Sequence, residues 1–319
     1  MTVLVTGGNG FLGSYLVKEL IKEGHNVSIF DLIDKNMYLN KDEQSKVVQY
    51  RGNLSSLSHV MDAVQKSNPQ KIFHLGTMLS IPSNEDPQTA FRVNAEGTLN
   101  VLEAARMFNV GQVLYSSSIA VYGKDITDDE VNDNTLQRPT TAYGVFKVFS
   151  ELIGQFYAEK YGIDFRALRF SSIIGPGSKI KHVSVYNSWA IEKSGQGEPY
   201  SLFVEPQTKC PVIYFRDAIA SLISLSKAPV ELIKTRCYNA TGMEVKAEDL
   251  VEAIKRKCPE AALKYEPEAF AMDFFRPFQT KKYVDEKAVD EWNFTIQYDL
   301  DRMIDDFWKL LEESDKEVD

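Results

Sequence analysis

Tyr143 and Lys147 stand four residues apart, so a helix through them puts both side chains on one face. Upstream, Ser116-Ser117-Ser118 closes the apolar run Val113-Leu114-Tyr115, which reads as a strand. Serines at the carboxyl end of a parallel strand lie where ligands bind. A phenol, an ammonium and a hydroxyl form a coherent set for proton-coupled hydride transfer. A free phenol has a pKa of about 10 and is a poor base at neutral pH. A neighbouring ammonium and an oxidised nicotinamide both favour the phenolate. In this scheme Tyr143 takes the proton of an alcohol while hydride leaves the same carbon for NAD. Ser118 orients the reacting oxygen, and Lys147 supplies the ammonium and holds the nicotinamide ribose.

Elements able to deliver such a cofactor open the chain. Val3-Leu4-Val5 is a short strand, followed at once by Thr6-Gly7-Gly8-Asn9-Gly10-Phe11-Leu12-Gly13. Tyr15, Leu16, Leu20 and Ile21 then recur at helical spacing, and a second strand, Val27-Ser28-Ile29-Phe30, ends on Asp31. Strand, glycine turn, helix, strand and acid make up the dinucleotide-binding order. Gly7 permits the sharp turn, Gly10 lets a pyrophosphate approach the backbone, and Gly13 lets the helix pack close to the sheet. The first N–H groups of the helix face the phosphates. Asp31, with Asp34 as a nearby alternative, accepts hydrogen bonds from the adenosine ribose and repels a 2′-phosphate, which selects NAD over NADP. Asn53, past a third strand at 47–50, is placed to bond the adenine. The strand over 71–77 ends in a small turn, Gly76-Thr77, suited to close cofactor approach. His74 within it reads as a packed strand residue.

Helix patterns at 56–67, 87–108 and 143–157 alternate with strands through 165–170. They predict an α/β Rossmann fold, a doubly wound parallel sheet. Residues 32–45 read as a loop, and the acidic stretch 125–137 as a flap. After Gly175 the pattern is mixed, with helices expected at 183–193, 217–225, 247–257 and 300–311 and strands at 212–214 and 237–239. The expected organisation is an NAD-binding domain over 1–170 and a smaller mixed α/β substrate lobe over 171–319. Some elements of the second return to the first, and substrate sits in the cleft between them.

Composition narrows the partners. The 319 residues are 44% hydrophobic and 25% charged, with net charge −9, which argues against nucleic acid and anionic membranes. No apolar run reaches the roughly 18 residues of a membrane span. Cys210, Cys237 and Cys258 show no pairing pattern, as expected of reduced thiols in the cytoplasm. The four histidines form no cluster, so no metal site is expected. The acidic residues 312–319 read as a solvated tail.

The glycine turn, Asn94-Ala95-Glu96-Gly97-Thr98, the serine triplet with Val121-Tyr122-Gly123, and Tyr143 to Lys147 resemble the extended short-chain dehydrogenase/reductase family, also called the NAD-dependent epimerase/dehydratase family. The resemblance implies bound NAD, a Ser118/Tyr143/Lys147 triad and a homodimer built on the helices near 87–108 and 143–157. It adds Phe11, Leu12, Leu54, Leu75, Asn94, Ser116 and Phe170 as candidate cofactor contacts. Nucleotide-sugar epimerases of this family carry an Asn where this chain has Ser172. They also carry an Arg shortly before the strand at 212–214, where this chain has Pro206 to Pro211. Both groups serve substrate phosphate, so their loss points to a smaller, non-nucleotide substrate. The segment 211–218 and the run from Glu291 to Arg302 are similar to short-chain-type L-threonine 3-dehydrogenases. The Gly-Thr-Thr-Asp-Tyr run of that group is replaced here by residues 181–187. Ser80, Ser118, His182, Ser184 and Tyr186 are the candidate substrate contacts. The expectation is an NAD-dependent oxidoreductase acting on a secondary alcohol of a small polar substrate. The alternative is a nucleotide-sugar epimerase or dehydratase that retains its cofactor.

Overall fold

The computed structural model of the chain describes residues 1–36, 38–177, 182–276 and 279–316, with side chains through Glu313. It opens with β1 (Thr2–Thr6), α1 (Phe11–Lys22), β2 (Asn26–Asp31), α2 (Lys41–Ser45), β3 (Val47–Arg51), α3 (Leu57–Ser67) and β4 (Lys71–His74). Then come α4 (Ser80–Glu85), α5 (Pro87–Ala90), α6 (Gly97–Met107), β5 (Gln112–Ser118), β6 (Glu130–Val131), α7 (Ala142–Tyr161), β7 (Asp164–Phe170) and β8 (Ser172–Ile174). The remainder is α8 (Tyr186–Gly195), β9 (Tyr200–Leu202), β10 (Lys209–Tyr214), α9 (Phe215–Lys227), β11 (Cys237–Ala240), β12 (Met243–Lys246), α10 (Ala247–Lys257), β13 (Leu263–Tyr265), α11 (Ala269–Phe275), β14 (Lys282–Tyr283), α12 (Glu286–Trp292) and α13 (Leu300–Lys316).

Seven strands form a sheet in the order β11-β7-β5-β4-β1-β2-β3, every pairing parallel. Side chains alternate across it. Val3 and Val5 pack with Leu16, Val17 and Leu20 of α1 and with α9, whereas Leu4 packs with α3 and α6 on the other face. Both faces are thus covered, as a parallel sheet requires. The chain runs outward from β1 to β3, then re-enters at β4 on β1's other side. The crevice at that reversal, beyond the carboxyl ends of β1 and β4, is where such sheets bind ligands. The Rossmann architecture expected from alternation is therefore present, and β11 joins it from far along the chain. Smaller sheets, β12-β10-β8 and β13-β9, build the C-terminal part.

Local departures from the sequence reading have identifiable causes. Residues 41–45 form a helix within the expected loop because Asn40 and Glu43 make a reciprocal capping box. The stretch 125–137 is anchored, since β6 pairs in parallel with β14 and Asn239 donates to the carbonyls of Val131 and Val284. The expected helix at 87–108 is interrupted by a π-helical turn over Phe91–Glu96. The helix placed at 183–193 begins only at Tyr186, and α13 extends to Lys316, into the expected tail, whose residues 317–319 lie outside the described residues. Helix α7 is longer than expected. Thr141 caps its start by accepting from Gly144 N–H at 3.1 Å, and Gly162 ends it at φ 73°.

The glycine turn is set by contact. A Cβ on Gly13 would overlap the carbonyl oxygen of Gly7. Gly13→Ala must push α1 away from the sheet, at a cost of about 1–3 kcal/mol. We expect a lower melting temperature and weakened NAD binding by calorimetry, whereas an unchanged affinity would show that this contact does not shape the cofactor loop.

Candidate active site

The glycine turn and the turn after β4 touch. Gly7 has φ +71°, and a Cβ there would lie 2.6 Å from Gly76 N. Gly10 is the N-cap of α1 and no side chain caps that end, so its first N–H groups are free to meet a phosphate. The Asp31 carboxylate accepts from Asn9 N–H at 2.9 Å and Ile33 N–H at 3.1 Å, which holds it at the rim of the turn. Leu75 and Gly76 hydrogen-bond back to Thr6 through backbone groups and its hydroxyl. Leu54 packs over Gly76 and Gly97. Asn53 is half-buried, and its side chain caps its own turn by accepting from Ser55 N–H at 3.0 Å.

Other expected cofactor residues work through neighbours. Asn94 is buried in the π-helical turn, where its Oδ1 accepts from Met78 N–H at 2.7 Å and from Thr77 Oγ1 at 3.0 Å. Its own carbonyl accepts from Thr98 and Ser150 hydroxyls. It therefore fixes the loop after β4, and its side chain is engaged there. The ring of Phe11 packs among Tyr15, Tyr38 and Phe215. Leu12 is the second residue of α1, and its side chain packs against the core that holds Val3, Val5 and Leu16. Phe170 ends β7 directly across from Ser118. His74 has partners that the sequence did not reveal. Its Nδ1 lies 2.7 Å from Thr6 Oγ1 and its Nε2 3.0 Å from Thr98 Oγ1. Burial, then the charge of Lys147, pushes its pKa down to about 3, so it is a neutral tie between β1, β4 and α6.

Ser118, Tyr143 and Lys147 come together as expected. Helix α7 starts hard against the turn after β5, where a Cβ on Gly144 would overlap the carbonyl of Ala120. The Tyr143 phenol lies near enough to the Ser118 side chain to be influenced by it, and Ser118 Oγ accepts from Ala120 N–H at 3.2 Å. Lys147 is 1% exposed, and its Nζ donates to the Ser116 carbonyl at 2.6 Å. That nitrogen lies 4.6 Å from the centre of the Tyr115 ring and 5.3 Å from that of Tyr143.

The electrostatics differ from the sequence reading. Burial is the largest influence on Tyr143 and raises its phenol well above the usual value, with the polar Ser118 side chain pulling partly back. Burial also lowers Lys147 to about 7, opposed by the charge of Glu151. Glu151 was missed, although it follows Lys147 by four residues on the same helix face. It is fully buried, pairs with Arg169 at 2.8 Å, and accepts from Ser117 and Gln137. A buried ion pair needs such extra partners to offset its desolvation.

Beside the triad lies a cavity of about 340 Å3. Ile119 and Ala120, which follow Ser118, form one wall, and Thr140 and Thr141, which precede α7, form another. Ser172, Ser184 and the aromatic residues of α11 complete it. Of the candidate substrate contacts, Ser184 lines this cavity and lies 3.3 Å from His182 Nδ1. Burial pushes His182 down to about 4. Tyr186 is fully buried against Phe203 and Phe275, so the structure puts it in the core behind the cavity. Ser80 begins α4, outside the lining. Lys181, in the stretch that replaces the threonine-loop run, lies outside the described residues. Among the described residues no cluster of His, Cys, Asp or Glu could hold a metal.

The family model for the NAD dependent epimerase/dehydratase family matches residues 3–240. An uncharacterized epimerase/dehydratase of Staphylococcus saprophyticus is 32% identical over 247 residues, 76% of each chain. The mitochondrial L-threonine 3-dehydrogenase of Bos taurus is 27% identical over 313 residues, 95% of this chain and 80% of that one. The solved L-threonine dehydrogenase of Clostridium difficile superposes with a TM-score of 0.88 at 27% identity, covering 98% of both chains. The chain belongs to the NAD-dependent epimerase/dehydratase family, and with this fold and triad it is an enzyme of the extended short-chain dehydrogenase type that uses NAD.

Burying Lys147 disfavours its ammonium in the folded state. The folded pKa, about 7, lies below the unfolded value, so the unfolded chain binds the extra proton between about pH 7 and 10.5. Lys147→Met should therefore melt a few degrees above the parent at pH 7. The difference should shrink as pH rises towards 10.5, and a difference independent of pH would contradict the burial cost. Scanning calorimetry across that range reads it.

Proposed function

We propose that the protein oxidises, or forms, a secondary alcohol on a small non-nucleotide substrate, with NAD as hydride acceptor or donor. The single observation that carries this is the convergence of Ser118, Tyr143 and buried Lys147 next to a substrate-sized cavity walled by the residues that follow Ser118 and precede Tyr143. NAD, when bound, supplies the redox chemistry and, in its oxidised form, a positive charge. The chain's residues do the rest. Ser118 fixes the reacting oxygen, Tyr143 moves its proton, and Lys147 opposes the burial that keeps the phenol protonated. Gly7, Gly10 and Gly13 shape the turn that takes the pyrophosphate, and Asp31 meets the adenosine ribose. Under this reading residues 1–170 bind NAD and 171–319 complete the substrate side. The L-threonine dehydrogenases among its relatives support net oxidation of an alcohol. L-threonine itself is not assigned, because residues 181–187 lack that group's loop run.

A protein with three free thiols suits the cytoplasm, and we place it there. Among the described residues no helix is long and apolar enough to cross a membrane. We also propose a homodimer. Val145, Phe149, Leu152 and Phe156 follow one another at helical spacing on α7 and are 36–57% exposed, with Phe91 exposed nearby. A contiguous apolar stripe of this kind marks an association face.

Tyr143→Phe should lower kcat by about a hundredfold or more, the scale of general acid–base catalysis, with NAD affinity little changed. Retained turnover in that variant would remove the proposed role. Net NADH formation with a secondary alcohol supports oxidation, whereas turnover of a UDP-sugar without NADH release supports the epimerase reading instead. Leu152→Lys should convert the dimer to monomer by light scattering, and a mass that does not change would place the interface elsewhere.

A further inference from the structure

The cavity beside the triad has a chemical character that neither the family nor the triad dictates. Helix α11 contributes Phe270, Phe274 and Phe275, and Ile119, Pro211 and Tyr283 close the other sides. Its charged lining residues are Lys124 and Asp273; both are exposed, and Asp273 is paired with Arg276 at 3.2 Å. Among the described residues the interior therefore offers no buried cation for a diphosphate or carboxylate and no buried anion for an ammonium. Taking such charges from water into this apolar interior carries a desolvation cost that nothing described there offsets. One polar atom does face inward without a partner. Ser172 Oγ is buried and has no hydrogen-bond partner among the described residues. A buried hydroxyl left alone is costly, and a ligand group bonded to it would remove that cost.

We propose that the substrate is a secondary alcohol whose carbinol carbon bears a bulky apolar arm, aryl or branched alkyl, with at most one uncharged polar group reaching Ser172. This deepens the proposed hydride-transfer function and rests on it. The arm lies against Phe270 and Phe274 while the carbinol oxygen meets Ser118 and Tyr143. With Tyr143 as the phenolate, the alcohol would lose its proton to that oxygen and its hydride to NAD, giving a ketone, the phenol and NADH. Under this proposal the arm of the substrate is apolar, where the sequence led to an expectation of a small polar molecule, because phenylalanines of α11 and no buried charge among the described residues line the cavity. Nothing within the catalytic motifs themselves encodes that.

The test uses the full chain with saturating NAD and the alcohols CH3–CH(OH)–R, with R growing from methyl through hexyl and to phenyl. L-threonine and UDP-glucose are run beside them. We expect kcat/KM to rise about fourfold for each methylene buried, until the cavity is filled. Phe270→Ser and Phe274→Ser should each flatten that slope, and Phe270 is exposed enough for its variant to fold. Binding of the same series to NAD-loaded Tyr143→Phe, followed by calorimetry, separates the two claims. Tightening with R in the absence of any NADH formation by the parent upholds the apolar cavity and refutes hydride transfer from these alcohols. A flat series in both assays overturns the substrate class, as does L-threonine or UDP-glucose outpacing every member.

Discussion

Burial of a lysine beside a tyrosine is the constraint on which this structure depends. Away from water Lys147 loses hydration, and its remaining support is the Ser116 carbonyl, the Tyr115 ring and the charge of Glu151. The same exclusion of water keeps the Tyr143 phenol protonated. The chain thus holds this phenol, the proposed proton carrier, in its neutral form, and a positive charge brought close would oppose that. Low dielectric makes such a charge effective, since it acts with little screening. A solvated pair at the same spacing would have an ordinary pKa and little response to the cofactor.

The fold supplies the means of holding that arrangement. Strand β5 presents Ser116 and Ser118, and α7, capped at its start by Thr141, abuts the following turn at Gly144. The Glu151–Arg169 pair then ties α7 to β7, and Arg169 donates on to Tyr122 and the Asp133 carbonyl. Asp133 in turn accepts from Asn239 of β11. One buried polar network therefore links α7 to the stretch 125–137 and to the C-terminal strands. Such networks are high-stakes, because removing any member leaves the others unsatisfied.

Legibility in the sequence followed distance along the chain. The glycine turn, Asp31 and the Tyr143–Lys147 spacing are local, and each requires particular residue types, so they could be read directly. The parallel sheet followed from alternation. What escaped reading depends on remote pairings. Strand β6 exists only because residues about 150 positions away supply β14. The phenylalanines of α11 reach the cavity from an unmarked C-terminal segment. Tyr186 looked like a substrate contact because hydroxyls attract that reading, yet its ring is a core residue. The π-helical turn had only Asn94 as its sign, and a buried Asn is ambiguous until its partners are known. Glu151 was within reach, as the third member of a Tyr-x3-Lys-x3-Glu series.

The central claim concerns the ionisation of one phenol, and ultraviolet difference titration of tyrosinate measures it. Comparing the parent with Tyr143→Phe isolates that residue's signal. The account predicts that, in the protein free of cofactor, Tyr143 stays protonated beyond pH 10, and that saturating oxidised NAD moves its ionisation down by several pH units while NADH moves it far less. Ionisation near neutrality without cofactor, or a titration indifferent to the cofactor's charge, would contradict it.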